Sequence, residues 1–552
     1  MTQGPRITES VNSAYEYPLL VKHLLYTSII TSPDQEIVYR DAKRFTYRDL
    51  NGRIRRLASG LSNMGVKAGD IIAVLDWDSY RYLECYFAIP GIGAVLHCVN
   101  VRLSPEQILF TMQHAEDTVV MVHEDFVAVA AQLKDQLPSV KKWILLRETD
   151  QPMASDMTFD AEYETLLNGG TENFEFADFD ENAMATLFYT TGTTGEPKGV
   201  YFSHRQLVLH TLGVCASGAT MLTKGLFKAD DVYMPITPMF HVHAWGLPYI
   251  ATMMGVKQVY PGRYEPEMLF KLLMSEKVTF SHCVPTILQM LVTSPEVKNA
   301  DLTGWKVVIG GSALPRGLAD AAMNLGIDIY TGYGMSETCP ILTIALPGPE
   351  HEDADRRTQL DIRTATGRPV YMVDLKIVDP DMNPQPMDGK STGEIVVRTP
   401  WLTQGYFKAM EKGEQLWASG YLHTGDVGHM DASGYVRITD RIKDVIKTGG
   451  EWVSSLEVES LISQHPSVAE VAVVGVPDQK WGERPVATIV LTDKKSFSEA
   501  ELRNFIMKFV EEGRLQKYAV PDKFMVVDGI PKTSVGKINK KQIRQQLKES
   551  QK

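Results

Sequence analysis

The stretch Leu187–Val200, "LFYTTGTTGEPKGV", decides how the chain is read. Its opening, Leu187, Phe188 and Tyr189, is the apolar end of a buried strand, and the Thr/Gly run behind it suits neither strand nor helix. Gly192, Gly195 and Gly199 permit close backbone approach. The hydroxyls of Thr190, Thr191, Thr193 and Thr194, with the charge of Lys198, are donors suited to phosphate oxygens. A strand that empties into such a loop is either an ordinary turn or a phosphate cradle. It is not the P-loop of Gly, four residues, then Gly-Lys-Ser/Thr. Gly192 is followed by Gly195 and Pro197 precedes Lys198, so no helix opens around a phosphate there.

Outward from this loop, helical and strand signals alternate. In "TYRDLNGRIRRLASGLSNMG" (46–65), Leu50, Ile54, Leu57 and Leu61 share one helical face, Thr46 is an N-cap and Gly65 follows the end. "IIAVL" and "TVVMV" read as strands around a helical "PEQILFTMQHA", and "VTFSHCVP" and "WKVVIGGSALP" as buried strands ending in turns at Pro285 and Gly310-Gly311. That rhythm predicts an α/β fold of mostly parallel sheets covered by helices, with ligands gathering where strands end. From about 371 to 440 short strands such as "VDLKIVD" and "GEIVVRT" predict a β-rich subdomain, closing a large N-terminal domain at 1–440. Residues 441–552 read as a small α+β domain.

Length and composition fit an ordinary globular protein of several domains: 552 residues, 44% apolar and 22% charged. The net charge of −12 argues against wholesale nucleic-acid binding. It is uneven, about +4 from Arg441 onward and −16 before it. Cys85, Cys98, Cys215, Cys283 and Cys339 are widely spaced, with no zinc or CxxC pattern. With no signal peptide and no apolar run of membrane-spanning length, the expected location is cytoplasmic.

Five segments, "YTTGTTGEPKG" (189–199), "TGYGMSET" (331–338), "YLHTGDVG" (421–428), "DRIKDVIKTGGEW" (440–452) and "PKTSVGKINK" (531–540), together resemble the adenylate-forming superfamily of acyl-CoA synthetases, amino-acid-activating domains and luciferases. The resemblance spans nearly the whole chain and implies ATP, Mg²⁺ and coenzyme A. By it, the loop from Thr190 to Lys198 wraps the β- and γ-phosphates. Tyr333 stacks on adenine, Gly311 and Gly334 belong to the same nucleotide site, Ser336 touches the α-phosphate, and Glu337 with Thr190 holds Mg²⁺. Asp426 and Arg441 would bind the ribose, and Lys537 would bring its charge to the α-phosphate and acyl carboxylate. Lys443 maps to the pivot about which the small domain rotates between adenylation and thioester formation.

The resemblance is nearest in the medium- and long-chain fatty acyl-CoA synthetase branch, through "PMFHVHAWGLPY" (238–249) and "KTGGEW" (447–452). It implies that Trp245 gates an acyl tunnel, that His241 lines the approach to the carboxylate, and that Gly310, Gly311 and Ala313 leave room for the chain. Lys447, Gly449, Gly450 and Trp452 would line the coenzyme A channel. The stretch 238–249 holds no acidic residue, so a free amino acid, whose buried ammonium would lack a partner, is not the expected substrate. No carrier segment follows Lys537, which makes diffusible coenzyme A the simpler acceptor. Aryl or short branched acids, or transfer to a carrier protein, are the alternatives. A non-catalytic binder of acyl-adenylate has no use for Lys537. A homodimer is a further expectation of the resemblance.

Overall fold

Thr46 caps the helix Tyr47–Asn63, accepting from the Asp49 amide while the Asp49 carboxylate accepts from the Thr46 amide, and Gly65 follows at φ +93°. The helix buries Leu50, Ile54, Leu57 and Leu61, the face its periodicity predicts. The structure, a computed structural model, describes residues 5–149, 155–190, 196–222, 224–351, 353–449, 451–492, 498–533 and 537–549, the Trp452 side chain excepted. Of the expected site residues, Thr191, Gly192, Thr193, Thr194, Gly195, Gly450 and the Trp452 side chain lie outside the described residues.

Two large sheets carry the α/β architecture. In the seven-stranded sheet the strands Ile71–Leu75, Val95–Cys98, Val119–His123, Lys142–Leu146 and Met184–Thr190 run parallel, and Lys198–Ser203 closes one edge antiparallel to Met184–Thr190. The nine-stranded sheet has a parallel centre through Val232–Pro235, Lys257–Tyr260, Phe280–Cys283, Lys306–Ile309 and Asp328–Gly334. One apolar core draws on both sheets and on the helices between them, Tyr80–Gly91, His204–Thr220 and Leu247–Met254; every residue of the first is buried. Parallel strands buried on both faces explain the unbroken apolar runs in the sequence.

One expectation needs correction. Pro285 ends no strand in a turn; it opens the helix Pro285–Thr293 near its first position, where a missing N–H loses no helical bond. The strand Phe280–Cys283 has already ended before it.

A five-stranded antiparallel sheet follows, from Asp374–Val378 to Val436–Arg441. The chain leaves it at Arg441 and enters the last sheet at Ile446–Thr448, with the exposed Lys443 in the turn between. That last sheet pairs Val468–Asp478 with Gly482–Leu491 and packs the helices Ser455–Ile462 and Glu499–Glu511. A final helix, Lys540–Glu549, follows the segment "PKTSVGKINK". Among the described residues no helix is long and apolar enough to cross a membrane.

Candidate active site

The loop of the opening stretch is closed by its own hairpin, since Thr190 and Lys198 are cross-strand partners. Lys198 Nζ lies 4.5 Å from the centre of the Tyr406 ring. Tyr406 sits in "TQGYFK", a segment the sequence reading passed over. Its backbone is bridged to Val200, and the next amide, Phe407, donates to the Gly199 carbonyl at 2.9 Å. Its hydroxyl donates to Glu337 Oε1 at 2.7 Å, and the Thr403 amide donates to the Glu337 carbonyl at 3.0 Å. The segment thus joins the phosphate hairpin to the carboxylate assigned to the metal.

The strand Asp328–Gly334 delivers Tyr333 to the end of the sheet, followed by the short turn Ser336–Thr338. Only glycine fits at 334, because a Cβ would fall 1.6 Å from the Pro340 carbonyl oxygen. The Tyr333 hydroxyl donates to Asp426 Oδ2 at 2.7 Å, and Arg441 Nε approaches Asp426 Oδ1 at 3.2 Å across adjacent strands. Asp426 is buried, so this carboxylate is held from two sides.

Lys537 enters from the C-terminal unit. A buried polar junction places it: Lys540 Nζ meets Glu459 at 2.7 Å and Ser455 Oγ at 2.6 Å, while Ser455 donates its amide and hydroxyl to Asp440. Arg544 pairs with Asp444 at 2.7 Å. The turn ahead of this helix is closed by the Thr533 amide donating to the Lys537 carbonyl at 2.7 Å. Lys537 Cε lies 3.3 Å from where a Cβ on Gly311 would stand, and Gly311 has φ +83°, so glycine serves both backbone and approach. Burial first, then the charge of Arg441, lowers the Lys537 ammonium to about 8, against the pull of Glu337 and Asp426. Shifts of this kind cluster at functional sites.

His241 is held neutral, its imidazole brought down to about 3 by burial and then by the charge of Lys537. The residues after it form a left-handed turn: Val242, His243, Ala244 and Trp245 have φ between 47° and 60°, and Gly246 follows at 74°. Four successive non-glycine residues in this region are strained. The turn lays the Trp245 indole over Gly310, whose Cβ would fall 2.9 Å from Cη2, and 5.0 Å from the His282 ring. The room expected above Gly310 is filled by that indole. Ala313 is exposed beyond it. Lys447 and Gly449 stand apart, on the hairpin Ile446–Val453, with Glu483 and Trp481 as neighbours.

Among the described residues no group of three or more His, Cys, Asp or Glu side chains could cage a metal. A buried Glu337 with one oxygen already occupied, and a Thr190 hydroxyl, instead suit Mg²⁺, which takes one or two protein oxygens and completes its shell with phosphates and water.

Comparison with known proteins supplies the class to which these residues belong. Residues 27–407 match the model of the AMP-binding enzymes and residues 457–537 that of the AMP-binding enzyme C-terminal domain. The chain belongs to this family, the adenylate-forming superfamily. It is 39% identical to the long-chain-fatty-acid–CoA ligase of Thermus thermophilus, over 93% of each chain. It is 37% identical to the 3-methylmercaptopropionyl-CoA ligase of Ruegeria lacuscaerulensis, over 97% of this chain and 98% of that one. In fold it is similar to an anthranilate CoA ligase solved with anthranoyl-AMP, at a TM-score of 0.84 and 24% identity, over 96% of this chain and 98% of that one.

Proposed function

We propose that this AMP-forming acid–thiol ligase activates medium- or long-chain fatty acids. A carboxylate oxygen attacks the α-phosphorus of ATP, pyrophosphate leaves, and an acyl-adenylate forms. The thiolate of coenzyme A then attacks the acyl carbon and AMP departs. Two anions must meet in the first half, and Lys537, Lys198 and the donors of the loop offset their charge. Bound Mg²⁺, held by Glu337 and Thr190, would neutralise phosphate charge. Tyr333 and Gly334 would take the adenine, Asp426 and Arg441 the ribose, and Ser336 the α-phosphate. Rotation about Lys443 would then withdraw Lys537 and bring the hairpin with Lys447, Gly449, Gly450 and Trp452 toward the acyl carbon.

The fatty acyl reading rests on one observation. On the sheet face that Trp245 covers lies a cavity with no polar surface, lined by Leu247, Ile250, Phe280, Val308 and residues of the helix His204–Thr220. Trp245 packs on His282, which is two residues from Phe280 on the same face of its strand and pairs with Val308. An alkyl tail gains from such a wall, whereas a charged or hydrogen-bonding tail loses its water without compensation.

Short or aryl acids are the second reading, favoured by the cavity's present size of about 20 Å³ with the indole in place. Pyrophosphate release across a panel from acetate through C18 acids to benzoate and cinnamate, with and without coenzyme A, separates the two. A maximum among C6 to C16 acids with coenzyme A-dependent turnover is expected. Activity confined to aryl or short acids would reject the fatty acyl assignment.

A further inference from the structure

The helix His204–Thr220 contains two inward glycines with opposite surroundings. A Cβ on Gly213 would meet the Trp401 ring at 2.8 Å, so this glycine makes way for packing. Gly218 is buried as well, yet a Cβ there would find no atom within 4 Å. Glycine in a helix interior costs stability relative to alanine, and here no close contact requires it. What faces Gly218 is empty space belonging to the apolar cavity, which Val214, Cys215 and Gly218 line from one helical face at spacings of three and four residues.

We infer that Gly218 sets the length of acyl chain this enzyme accepts. The inference rests on the fatty acyl reading above and names the wall at which the chain is measured. Leu247 and Val308, which line the cavity, stand two residues along the chain from Trp245 and from the Gly310 it covers, and the helix with Gly218 lines the same cavity. An acyl tail that enters past Trp245 runs toward this helix, and the missing side chain at 218 leaves the volume its last carbons occupy. Any side chain there projects into that volume. Phe227 and Phe280, stacked at 4.4 Å, belong to the same wall, and Gly218 is the position in it without a side chain.

Gly218→Leu and Gly218→Ala test this, with kcat/KM measured for straight-chain acids of four to sixteen carbons. Leucine is expected to lower kcat/KM for the longest acids that the wild type accepts by roughly tenfold or more, since each displaced methylene forfeits a measurable part of binding. The shortest acids should be unaffected. Alanine should raise the melting temperature, as Gly to Ala does in helices, and trim only the longest acids. A readout independent of turnover is alkylation of Cys215, which lines the cavity half-buried while the other four cysteines are buried. A long-chain acid should slow its modification by N-ethylmaleimide in the wild type and not in Gly218→Leu. Fatty-acid activity with a length profile unmoved by both substitutions overturns this inference alone. Silence of the wild type with every fatty acid overturns it together with the reading on which it rests.

Discussion

The Tyr406 hydroxyl donates to Glu337 Oε1 at 2.7 Å across 69 residues of chain, while the face of the same ring lies 4.5 Å from Lys198 Nζ. One side chain therefore orients both the carboxylate assigned to Mg²⁺ and the lysine of the phosphate loop. A hydrogen bond to a charged acceptor is worth about 1.5–3 kcal/mol, and a cation over an aromatic ring about 0.5–1 kcal/mol or more. Tyr406→Phe removes the first and keeps the second. It should raise the Mg²⁺ concentration for half-maximal pyrophosphate release roughly tenfold. ATP binding measured by calorimetry without metal should stay as it was. Tyr406→Leu removes both and should weaken metal-free ATP binding as well. An unchanged Mg²⁺ requirement in Tyr406→Phe would show that the hydroxyl has no part in orienting Glu337.

Lys537 yields a prediction with a defined sign in pH. Its ammonium is lowered to about 8, chiefly by burial, so the side chain is charged below that pH and neutral above it. The charge offsets developing negative charge, so kcat/KM for ATP, which reports the free enzyme, should fall as pH rises through about 8. Lys537→Arg, always protonated, should lose that step if it retains activity. Lys537→Ala should abolish adenylate formation and leave thioester formation from supplied acyl-adenylate largely intact. Normal pyrophosphate release by Lys537→Ala would refute the assignment.

Trp245 covers Gly310 and rests on His282, the contacts on which its proposed role as a gate depends. Trp245→Ala should broaden the range of acids accepted and leave KM for ATP unchanged. Weakened ATP binding with an unaltered acid profile would make the indole part of the nucleotide site instead of a gate.

The parts of this fold that were legible in sequence are those specified locally. Thr46 marked a helix start, and unbroken runs such as "IIAVL" marked parallel strands. The family was legible in five segments that carried its pattern. Tyr406 was not, because its meaning depends on Glu337 and Lys198, distant in sequence, and "TQGYFK" has no local signature of its own. Nor was the junction of Asp440, Ser455, Glu459 and Lys540, which sequence shows only as scattered polar residues. The turn at 242–245 contradicted its own composition, since Val, His, Ala and Trp all disfavour positive φ and no propensity rule places them there. Tertiary packing imposes that conformation. All four side chains are buried, and the His243 ring lies among Phe188, Tyr86 and Tyr249.

That strain can be measured at Ala244, which is fully buried at φ 47°. Replacing a buried alanine by glycine ordinarily loses a methyl's burial, about 0.8 kcal/mol, and adds roughly 0.5–1 kcal/mol of backbone entropy to the unfolded chain. In a left-handed turn the same change also removes a Cβ clash of roughly 1–2 kcal/mol. The terms oppose, so Ala244→Gly should leave the free energy of unfolding within about 0.5 kcal/mol of the wild type. A right-handed or extended segment would instead lose the full 1–2 kcal/mol or so. The kinetic consequence follows from the same strain. If the turn that lays Trp245 over Gly310 is held against a cost, relieving the cost favours the closed indole, and KM for the acid should rise while KM for ATP does not. A denaturation midpoint clearly below the wild type, together with an unchanged KM for the acid, would remove both the strain and its link to the gate.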